Sequence, residues 1–319
     1  MRILVTGGAG FIGSNFVRRI MDGTFAGFST VTILDKLSYA GNIQNLASIE
    51  NRDFEFIHGD ICDSALVDKL IEKNDVIINF AAESHVDRSI KDATNFIKSN
   101  IQGVQTLLDS IKKFDDRRFL QVSTDEVYGS IALGSADEEY GLFPNSPYAA
   151  TKASADLLVR AYHKTFGLNL LVTRSSNNYG QNQYPEKLIP LFITNLMEGK
   201  KIPIYGNGEN IRDWIHVDDN CEAIHCVLKD GEIGETYNIG GGNEISNINL
   251  TKSILGLMGQ GIDCLSYVAD RLGHDFRYSV NSSKVHSKIG FNPKISFSKG
   301  LSDTIKWYED NQSWWKPLK

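Results

Sequence analysis

Tyr148 and Lys152 are the two side chains whose types and spacing most directly suggest catalysis. They stand four residues apart at the start of a predicted helix, residues 149–166, so they lie on one helix face. A phenol with a pKa of about 10 is a weak base at neutral pH, but a neighbouring ammonium group favours its phenolate form. Such a pair could remove a hydroxyl proton while a hydride leaves the same carbon. Alone, this spacing is common on helices and would indicate only a surface pair.

Thr124, Asp125 and Glu126 follow a predicted strand, residues 119–123. An isolated Asp-Glu pair is most simply a solvated loop. Here the strand ends at the edge of the sheet where doubly wound proteins bind their ligands, and this position favours a role in the site.

A glycine turn supplies the context for both groups. Gly7, Gly10 and Gly13 lie between a predicted strand, residues 3–6, and a predicted helix, residues 14–21. In dinucleotide-binding proteins such glycines permit a tight turn, a close approach of the backbone to a pyrophosphate, and close helix–strand packing. The helix N-terminus then offers unpaired N–H groups to the phosphates. The alternative is a structural turn without a ligand.

Asp35 stands 22 residues after Gly13, at the end of the second predicted strand. Its carboxylate could accept hydrogen bonds from a ribose diol and would repel a 2′-phosphate, so the predicted cofactor is NAD rather than NADP. Asp60, followed by Ile61, could reach the adenine, although an isolated Asp at this position is more often a loop carboxylate or a helix cap. Ala81, Ala82 and Ser84 are small residues at the end of the fourth strand.

Composition excludes several classes of function. The chain has 319 residues, with 33 Lys and Arg against 39 Asp and Glu, giving a net charge of -6. A mildly acidic protein without a basic cluster is a poor partner for nucleic acid. The sequence shows neither a secretory signal nor an apolar run long enough for a bilayer, and its four cysteines form no metal-binding pattern. We therefore expect a cytoplasmic protein without a membrane segment or a metal.

Short apolar runs alternate with helical segments in the first half of the chain. This pattern predicts an α/β fold: a doubly wound, parallel-sheet Rossmann domain with a smaller C-terminal substrate-binding α/β lobe. We expect residues 1–176 to form the NAD-binding domain, with 212–240 returning to it, and residues 177–319 to form mainly the second, smaller lobe. The six predicted strands are 3–6, 30–34, 54–58, 76–80, 119–123 and 170–173, and a further predicted helix is 100–113.

Several longer blocks resemble the extended short-chain dehydrogenase/reductase family, and within it the nucleotide-sugar 4,6-dehydratases. The resemblance rests on the Gly-x-x-Gly-x-x-Gly turn, on Tyr-x-x-x-Lys and on further blocks over nearly the whole chain. These blocks are Asp35-Lys36-Leu37-Ser38-Tyr39-Ala40-Gly41-Asn42, Ala81-Ala82-Glu83-Ser84-His85-Val86-Asp87-Arg88-Ser89, Ser123-Thr124-Asp125-Glu126-Val127-Tyr128-Gly129, Ser176-Asn177-Asn178-Tyr179-Gly180, Pro185-Glu186-Lys187-Leu188-Ile189-Pro190 and Arg212-Asp213-Trp214.

The resemblance implies a hydro-lyase that acts on dTDP-glucose with bound NAD. Tyr148, assisted by Lys152, would take the C4 hydroxyl proton and Thr124 would bond the C4 oxygen. Glu126 would act as the base at C5 and Asp125 as the acid at C6. A hydride borrowed from C4 would return to C6 after water loss. The expected cofactor contacts are Gly7, Gly10, Phe11, Ile12, Gly13, Asp35, Lys36, Leu37, Ser38, Asp60, Ile61, Ala81, Ala82, Ser84, Ser99, Tyr148, Lys152 and Asn178.

The resemblance also implies a substrate site in the second lobe. Arg212 offers a planar fork suited to a diphosphate. Leu272 stands where the family usually has proline, which weakens the assignment of thymine as the base. A homodimer is expected through helices 100–113 and 149–166. The expected substrate contacts are His85, Thr124, Asn177, Lys187, Leu188, Pro203, Tyr205, Arg212, Asn243, Arg271 and His274.

Three alternatives remain open from sequence. One is a related 4-epimerase, against which Asp125 and Glu126 argue because an epimerase catalyses no elimination. Another is a UDP-glucuronate decarboxylase, for which no clamp for a sugar carboxylate is evident. The third is a non-catalytic NAD-binding protein, which has no reason to retain all five catalytic side chains. The base preference among dTDP, UDP, GDP and CDP, and the deoxysugar pathway supplied, are not determined by the sequence.

Overall fold

A parallel β-sheet organises the chain, which is described here by a computed structural model covering residues 1–114 and 116–319. Within those residues the sheet has seven parallel strands in the order β3-β2-β1-β4-β5-β6-β10. This is the predicted α/β class, and the six predicted strands are all present, with ends that differ by at most two residues. The strands are β1 (Arg2–Thr6), β2 (Thr30–Asp35), β3 (Glu55–His58), β4 (Val76–Asn79), β5 (Arg118–Thr124), β6 (Asn169–Ser175) and β10 (Thr236–Ile239).

Helices cover both faces of this sheet and bury its central strands. Ile3, Leu4 and Val5 of β1 have no exposed surface, because successive side chains point to opposite faces and both faces are covered. Ile3 and Val5 belong to one apolar core and Leu4 to another. The helices are α1 (Phe11–Met21), α2 (Ser64–Lys73), α3 (Val86–Lys91), α4 (Thr94–Phe96), α5 (Gly103–Ile111), α6 (Pro147–Phe166), α7 (Leu188–Met197), α8 (Val217–Asp230), α9 (Asn247–Leu257), α10 (Phe297–Asp310) and α11 (Gln312–Trp315).

All three predicted helices begin earlier than expected, and the one predicted over 14–21 begins at Phe11. The helix predicted over 149–166 begins at Pro147, which suits the first helical position, and the Ser146 hydroxyl accepts a hydrogen bond from Ala149 N. The helix predicted over 100–113 begins as a π-helix, Ile97–Gln102, and continues as α5. No helix in the described part of the chain is long and apolar enough to cross a membrane.

The second half of the chain forms a smaller lobe around two short sheets. One has the order β11-β9-β7 and the other pairs β12 with β8. Within the segment 212–240, β9 belongs to the small sheet, whereas α8 packs against α1 and β10 joins the large sheet. The division at residues 176 and 177 stays a prediction. The strands are β7 (Asn177–Tyr179), β8 (Ile202–Tyr205), β9 (Ile211–His216), β11 (Glu244–Ser246) and β12 (Leu265–Val268).

Candidate active site

The glycine turn lies at the carboxyl end of β1, where the chain enters α1. Gly7 has a φ of 70°, and a Cβ there would lie 2.5 Å from Ala81 N. A Cβ on Gly13 would lie 2.3 Å from the Gly7 carbonyl oxygen. Within the described structure no side chain caps α1 at Gly10. The first N–H groups of α1 are therefore available to an anion.

A cavity opens over this turn and extends along the carboxyl ends of the large sheet. Of the predicted cofactor residues, only Leu37 and Asn178 do not line it. Leu37 instead donates its backbone N–H to Asp35 Oδ1 (2.8 Å), and the Asn178 side-chain amide donates to Ser176 O (3.0 Å). The predicted residues that line the cavity are Gly7, Gly10, Phe11, Ile12, Gly13, Asp35, Lys36, Ser38, Asp60, Ile61, Ala81, Ala82, Ser84, Ser99, Tyr148 and Lys152.

This cavity fits NAD. A side chain at Gly7 or Gly13 would fill the space against the turn, whereas glycine leaves it for a pyrophosphate. Asp35 lies at the far end of the turn, and its Oδ2 accepts a hydrogen bond from Ala9 N (2.9 Å), which fixes the carboxylate toward the ribose position. Lys36 pairs with Asp60 across 2.9 Å, so this cation is already neutralised and does not select for a 2′-phosphate.

Sequence reasoning missed other residues that line this cavity. Gly59 follows β3 and could have been found, because the carboxyl end of each parallel strand borders the crevice. Tyr184 and Gln183 come from the second lobe, and nothing in their local sequence pointed to the first cavity.

The five predicted catalytic residues belong to three neighbouring elements, namely a strand, a short 3-10 helix and a longer helix. Thr124 ends β5 and caps the short 3-10 helix Asp125–Tyr128, where its Oγ1 accepts a hydrogen bond from Glu126 N (3.3 Å). Tyr148 and Lys152 lie on the first turns of α6. The 3-10 helix that carries Asp125 and Glu126 (the acid–base turn) packs against α6, and so does β5. Tyr148 and Lys152 line the cavity over the glycine turn, whereas Thr124, Asp125 and Glu126 do not line it.

The surroundings of Asp125 and Glu126 affect the pKa values of these two carboxyl groups differently. Burial, followed by the proximity of Glu126 and Asp213, raises the pKa of Asp125 well above its usual value. Burial also raises the pKa of Glu126, but Arg271, Arg212 and Lys187 oppose that rise. Two adjacent carboxyl groups in such different fields can hold different protonation states, with Asp125 neutral and Glu126 ionised.

Lys152 is not among the main influences on the pKa of Tyr148, so its support of the phenolate stays a prediction. Burial, together with Glu126 and Asp125, raises the pKa of Tyr148 well above its usual value. The Lys152 ammonium donates instead to Val122 O (2.7 Å), and burial lowers its own pKa to about 8. The phenol is therefore neutral until another positive charge or a substrate enters the crevice.

A second cavity continues from the first and shares Ser84 and Lys187 with it. Two predicted substrate residues do not line it. Thr124 lines neither cavity, and Asn243 uses its side-chain amide to donate to Trp214 O and Gly241 O. The predicted residues that line the second cavity are His85, Asn177, Lys187, Leu188, Pro203, Tyr205, Arg212, Arg271 and His274, and Glu126 also lines it.

The residues of the second cavity that were not singled out from sequence include Glu186, Asn247 and Tyr278. Asn247 is four residues beyond Asn243, and only the start of α9 brings it to the cavity. Tyr278 donates a hydrogen bond to Asp275 Oδ2 (2.8 Å) and lies 3.5 Å from Glu126 Oε2. Glu186 stood inside a block that was noticed, directly before Lys187.

The basic side chains of the second cavity differ in how many of their hydrogen-bond donors already have a partner in the protein. Arg212 is buried and donates to the carbonyl oxygens of Ile211 (2.7 Å) and Asp275 (2.9 Å). Arg271 lies 3.8 Å from Asp87, which leaves most of its donors for a ligand. His274 bonds Asp270 Oδ1 (2.6 Å) and stands edge-on to Tyr205. The second cavity thus offers positive charge beside a flat apolar wall.

Fold and site together define an NAD-dependent nucleotide-sugar enzyme of the extended short-chain dehydrogenase/reductase class. The chain belongs to the GDP-mannose 4,6 dehydratase family, whose family model matches residues 4–304.

Relatives within this class are close. A dTDP-glucose 4,6-dehydratase of Streptomyces niveus is 54% identical over 100% of this chain and 96% of its own length. The crystal structure of the dTDP-glucose 4,6-dehydratase DesIV from Streptomyces venezuelae, with NAD and dTDP bound, is 51% identical with a TM-score of 0.99, covering 100% of both chains. The UDP-glucose 4-epimerase of Thermotoga maritima is 28% identical with a TM-score of 0.90, covering 98% of this chain and 100% of its own.

Proposed function

We propose that this chain is a dTDP-glucose 4,6-dehydratase that uses bound NAD and forms dTDP-4-keto-6-deoxyglucose. The observation that carries the proposal is the adjacent pair of buried Asp125 and partly buried Glu126, whose pKa values are affected differently beside Tyr148. An elimination needs an acid and a base close together, and this pair supplies both. Full-length identity of 54% to a dehydratase supports the same function.

Oxidation at C4 is the task of Tyr148, Thr124 and Lys152. Positive charge next to the buried Tyr148 favours its phenolate, which takes the C4 hydroxyl proton, and Thr124 bonds the C4 oxygen. The Lys152 ammonium supports the phenolate from the following helical turn. NAD, when bound, accepts a hydride from C4 and returns it to C6, so it is regenerated in each cycle.

Water loss is the task of Glu126 and Asp125. The 4-ketone makes the C5 proton acidic, and the ionised Glu126 removes it. Asp125 stays protonated because it is buried beside another carboxyl group, so it can give its proton to the departing C6 hydroxyl. If Asp125 were the base instead of the acid, it would have to be ionised, although its pKa is raised well above its usual value.

The nucleotide end of the substrate belongs to the second cavity. Arg271 and Arg212 bind the diphosphate, and Tyr205 and Pro203 flank the base. Leu272 is 78% exposed, so its side chain makes no wall for the base, and the assignment of thymine rests on similarity to relatives.

A 4-epimerase is the main alternative, because an epimerase shares the fold at a TM-score of 0.90. Asp125 and Glu126 argue against it, since moving a hydride on and off one carbon requires no second acid and base. The same two residues argue against a non-catalytic NAD-binding protein.

Turnover of dTDP-glucose tests the proposal directly. The protein is incubated with dTDP-glucose without added NAD, and the alkali-induced absorbance of a 4-keto-6-deoxy sugar is followed. We expect product without added cofactor. Absence of product from fresh, folded protein supplied with NAD would contradict the proposal. UDP-, GDP- and CDP-glucose in parallel measure the base preference, and dTDP-galactose formation would indicate an epimerase.

We also propose a homodimer and a cytoplasmic location. Ala150, Ser154, Leu157 and Ala161 follow one face of α6, and Leu157 is 55% exposed there. Small residues with one exposed leucine suit close packing against a second helix. All four cysteines are free thiols, as expected in a reducing compartment.

A further inference from the structure

A buried ion pair lies behind the catalytic residues and outside both cavities. Arg174 of β6 donates from Nε to Asp156 Oδ2 across 2.8 Å. The side chains are only 8% and 1% exposed. Asp156 is four residues after Lys152, so Tyr148, Lys152 and Asp156 follow one face of α6 on successive turns.

The second arm of Arg174 reaches the other catalytic element. Its Nη1 donates to the Tyr128 hydroxyl across 2.8 Å, and that hydroxyl donates to Asn238 Oδ1 across 2.7 Å. Tyr128 is 1% exposed and ends the 3-10 helix that begins with Asp125 and Glu126. One guanidinium therefore joins the helix of Tyr148 and Lys152 to the turn of the acid and the base.

Stability alone is a weak reason for this arrangement. Removing two charges from water costs several kcal/mol per ion, and well-packed apolar residues of similar volume are often as stable or more so. Asp156 Oδ1 is buried without a hydrogen-bond partner among the described residues, so the pair does not recover all of its lost hydration. What the planar guanidinium adds is a fixed direction for each of its two contacts.

We propose that Asp156, Arg174 and Tyr128 are positioning residues that hold the acid–base turn in register with the Tyr-Lys helix. The proposal rests on the proposed function, because that reaction needs both elements on one sugar: Tyr148 at C4, and Glu126 and Asp125 at C5 and C6. A shift of the turn relative to α6 leaves either carbon out of reach. Neither cavity is lined by Asp156 or Tyr128, so substrate and NAD binding do not depend on them directly.

Two variants test this role. Tyr128→Phe removes the hydroxyl that Arg174 contacts and keeps the ring. The double variant Asp156→Leu/Arg174→Met replaces both charges with apolar side chains of similar size and avoids leaving a single buried charge. We expect kcat to fall roughly 10- to 100-fold in each, the range that follows a small misplacement of catalytic groups, while KM and the content of bound NAD stay unchanged.

Tyr237→Phe is the matched control. It also removes a buried tyrosine hydroxyl, one that accepts a hydrogen bond from Glu232 N (2.9 Å), and we expect it to keep wild-type kcat. A folded double variant within twofold of wild type, or an equal loss in Tyr128→Phe and Tyr237→Phe, would overturn the proposal. If the double variant does not fold, Tyr128→Phe decides by the same twofold limit.

Two further measurements separate this proposal from the proposed function. Wild-type turnover of dTDP-glucose tests the function, whereas the variant-to-wild-type ratio tests the positioning. A crystal structure of Tyr128→Phe measures the register without any substrate. Unchanged distances between the turn Asp125–Tyr128 and α6 would overturn the proposal even if the substrate were a different sugar nucleotide.

Discussion

At the scale of single residues, charge and burial assign separate tasks to side chains of the same type. Asp125 and Glu126 are neighbours in sequence, yet three cations oppose the rise in the pKa of Glu126, whereas Asp125 lies beside two further carboxyl groups. Arg212 opposes the rise at both carboxyl groups, so the difference comes from Arg271 and Lys187, which are among the main influences on Glu126 alone. An acid and a base are thus made from two carboxyl groups by their surroundings.

Glu126→Gln separates the first chemical step from the second. The variant keeps the size of the side chain but cannot take the C5 proton, so we expect overall turnover to fall by about 100- to 10,000-fold. Oxidation at C4 should continue, and reduced nicotinamide should accumulate on the protein. Turnover is measured by the 4-keto product and oxidation by nicotinamide absorbance. Normal turnover would refute the assignment of Glu126.

The pH profile reports the protonation states required of Glu126 and Lys152. Glu126 must be ionised, and burial raises its pKa, so kcat/KM should fall on the acid side at a pH above that of a free glutamate. Lys152 must be protonated, and its pKa is about 8, so activity should also fall as pH rises through about 8. In Lys152→Met, the residual activity should no longer fall as pH rises through about 8 (the alkaline limb of the profile). An alkaline limb unchanged in that variant would contradict this reading.

At the scale of elements, close approach of backbone explains the cofactor turn. The end of β1, the start of α1 and the residue after β4 meet with no room for a side chain at Gly7 or Gly13. The same closeness brings the open N-terminus of α1 to the place where a pyrophosphate must lie. Helix α6 and the turn Asp125–Tyr128 are set against each other in a comparable way, through buried polar contacts.

Gly13→Ala tests the role of close approach in cofactor binding. The added Cβ would lie 2.3 Å from the Gly7 carbonyl oxygen, so the turn must open. We expect the purified variant to retain little NAD, measured by releasing the cofactor with acid. Gly256→Ala is the control, because a Cβ on this residue of α9 meets no atom within 4 Å. It should keep its NAD and gain about 0.5–1 kcal/mol of stability. Equal NAD content in both variants would contradict the account.

At the scale of the whole molecule, the reaction site is formed only where two lobes meet. The first cavity follows the large sheet and the second lies in the smaller lobe, and Lys187 lines both. The exposed face of α6 opposes the face that carries Tyr148 and Lys152. Assembly through this face would place the catalytic helix at the centre of a dimer.

Leu157→Lys tests the proposed homodimer. A charge in the middle of the small-residue face of α6 should shift the protein from dimer to monomer, which sedimentation or light scattering measures. Leu133→Lys is the control, since Leu133 is 92% exposed and lies outside this face. A monomeric wild type, or a dimer that survives Leu157→Lys, would contradict the proposed interface.

The sequence by itself determined the elements, because strand and helix periods, glycines and cap residues act over a few neighbouring positions. It therefore predicted the parallel sheet, the turn at Gly7 and the NAD cofactor. The tertiary structure decided which residues, far apart in the chain, lie close enough to affect one another's contacts and pKa values. Lys152 donates a hydrogen bond to Val122 O, and Asn247 rather than Asn243 reaches the second cavity. Contacts between residues far apart in the chain depend on how the lobes pack, and no local pattern encodes those distances.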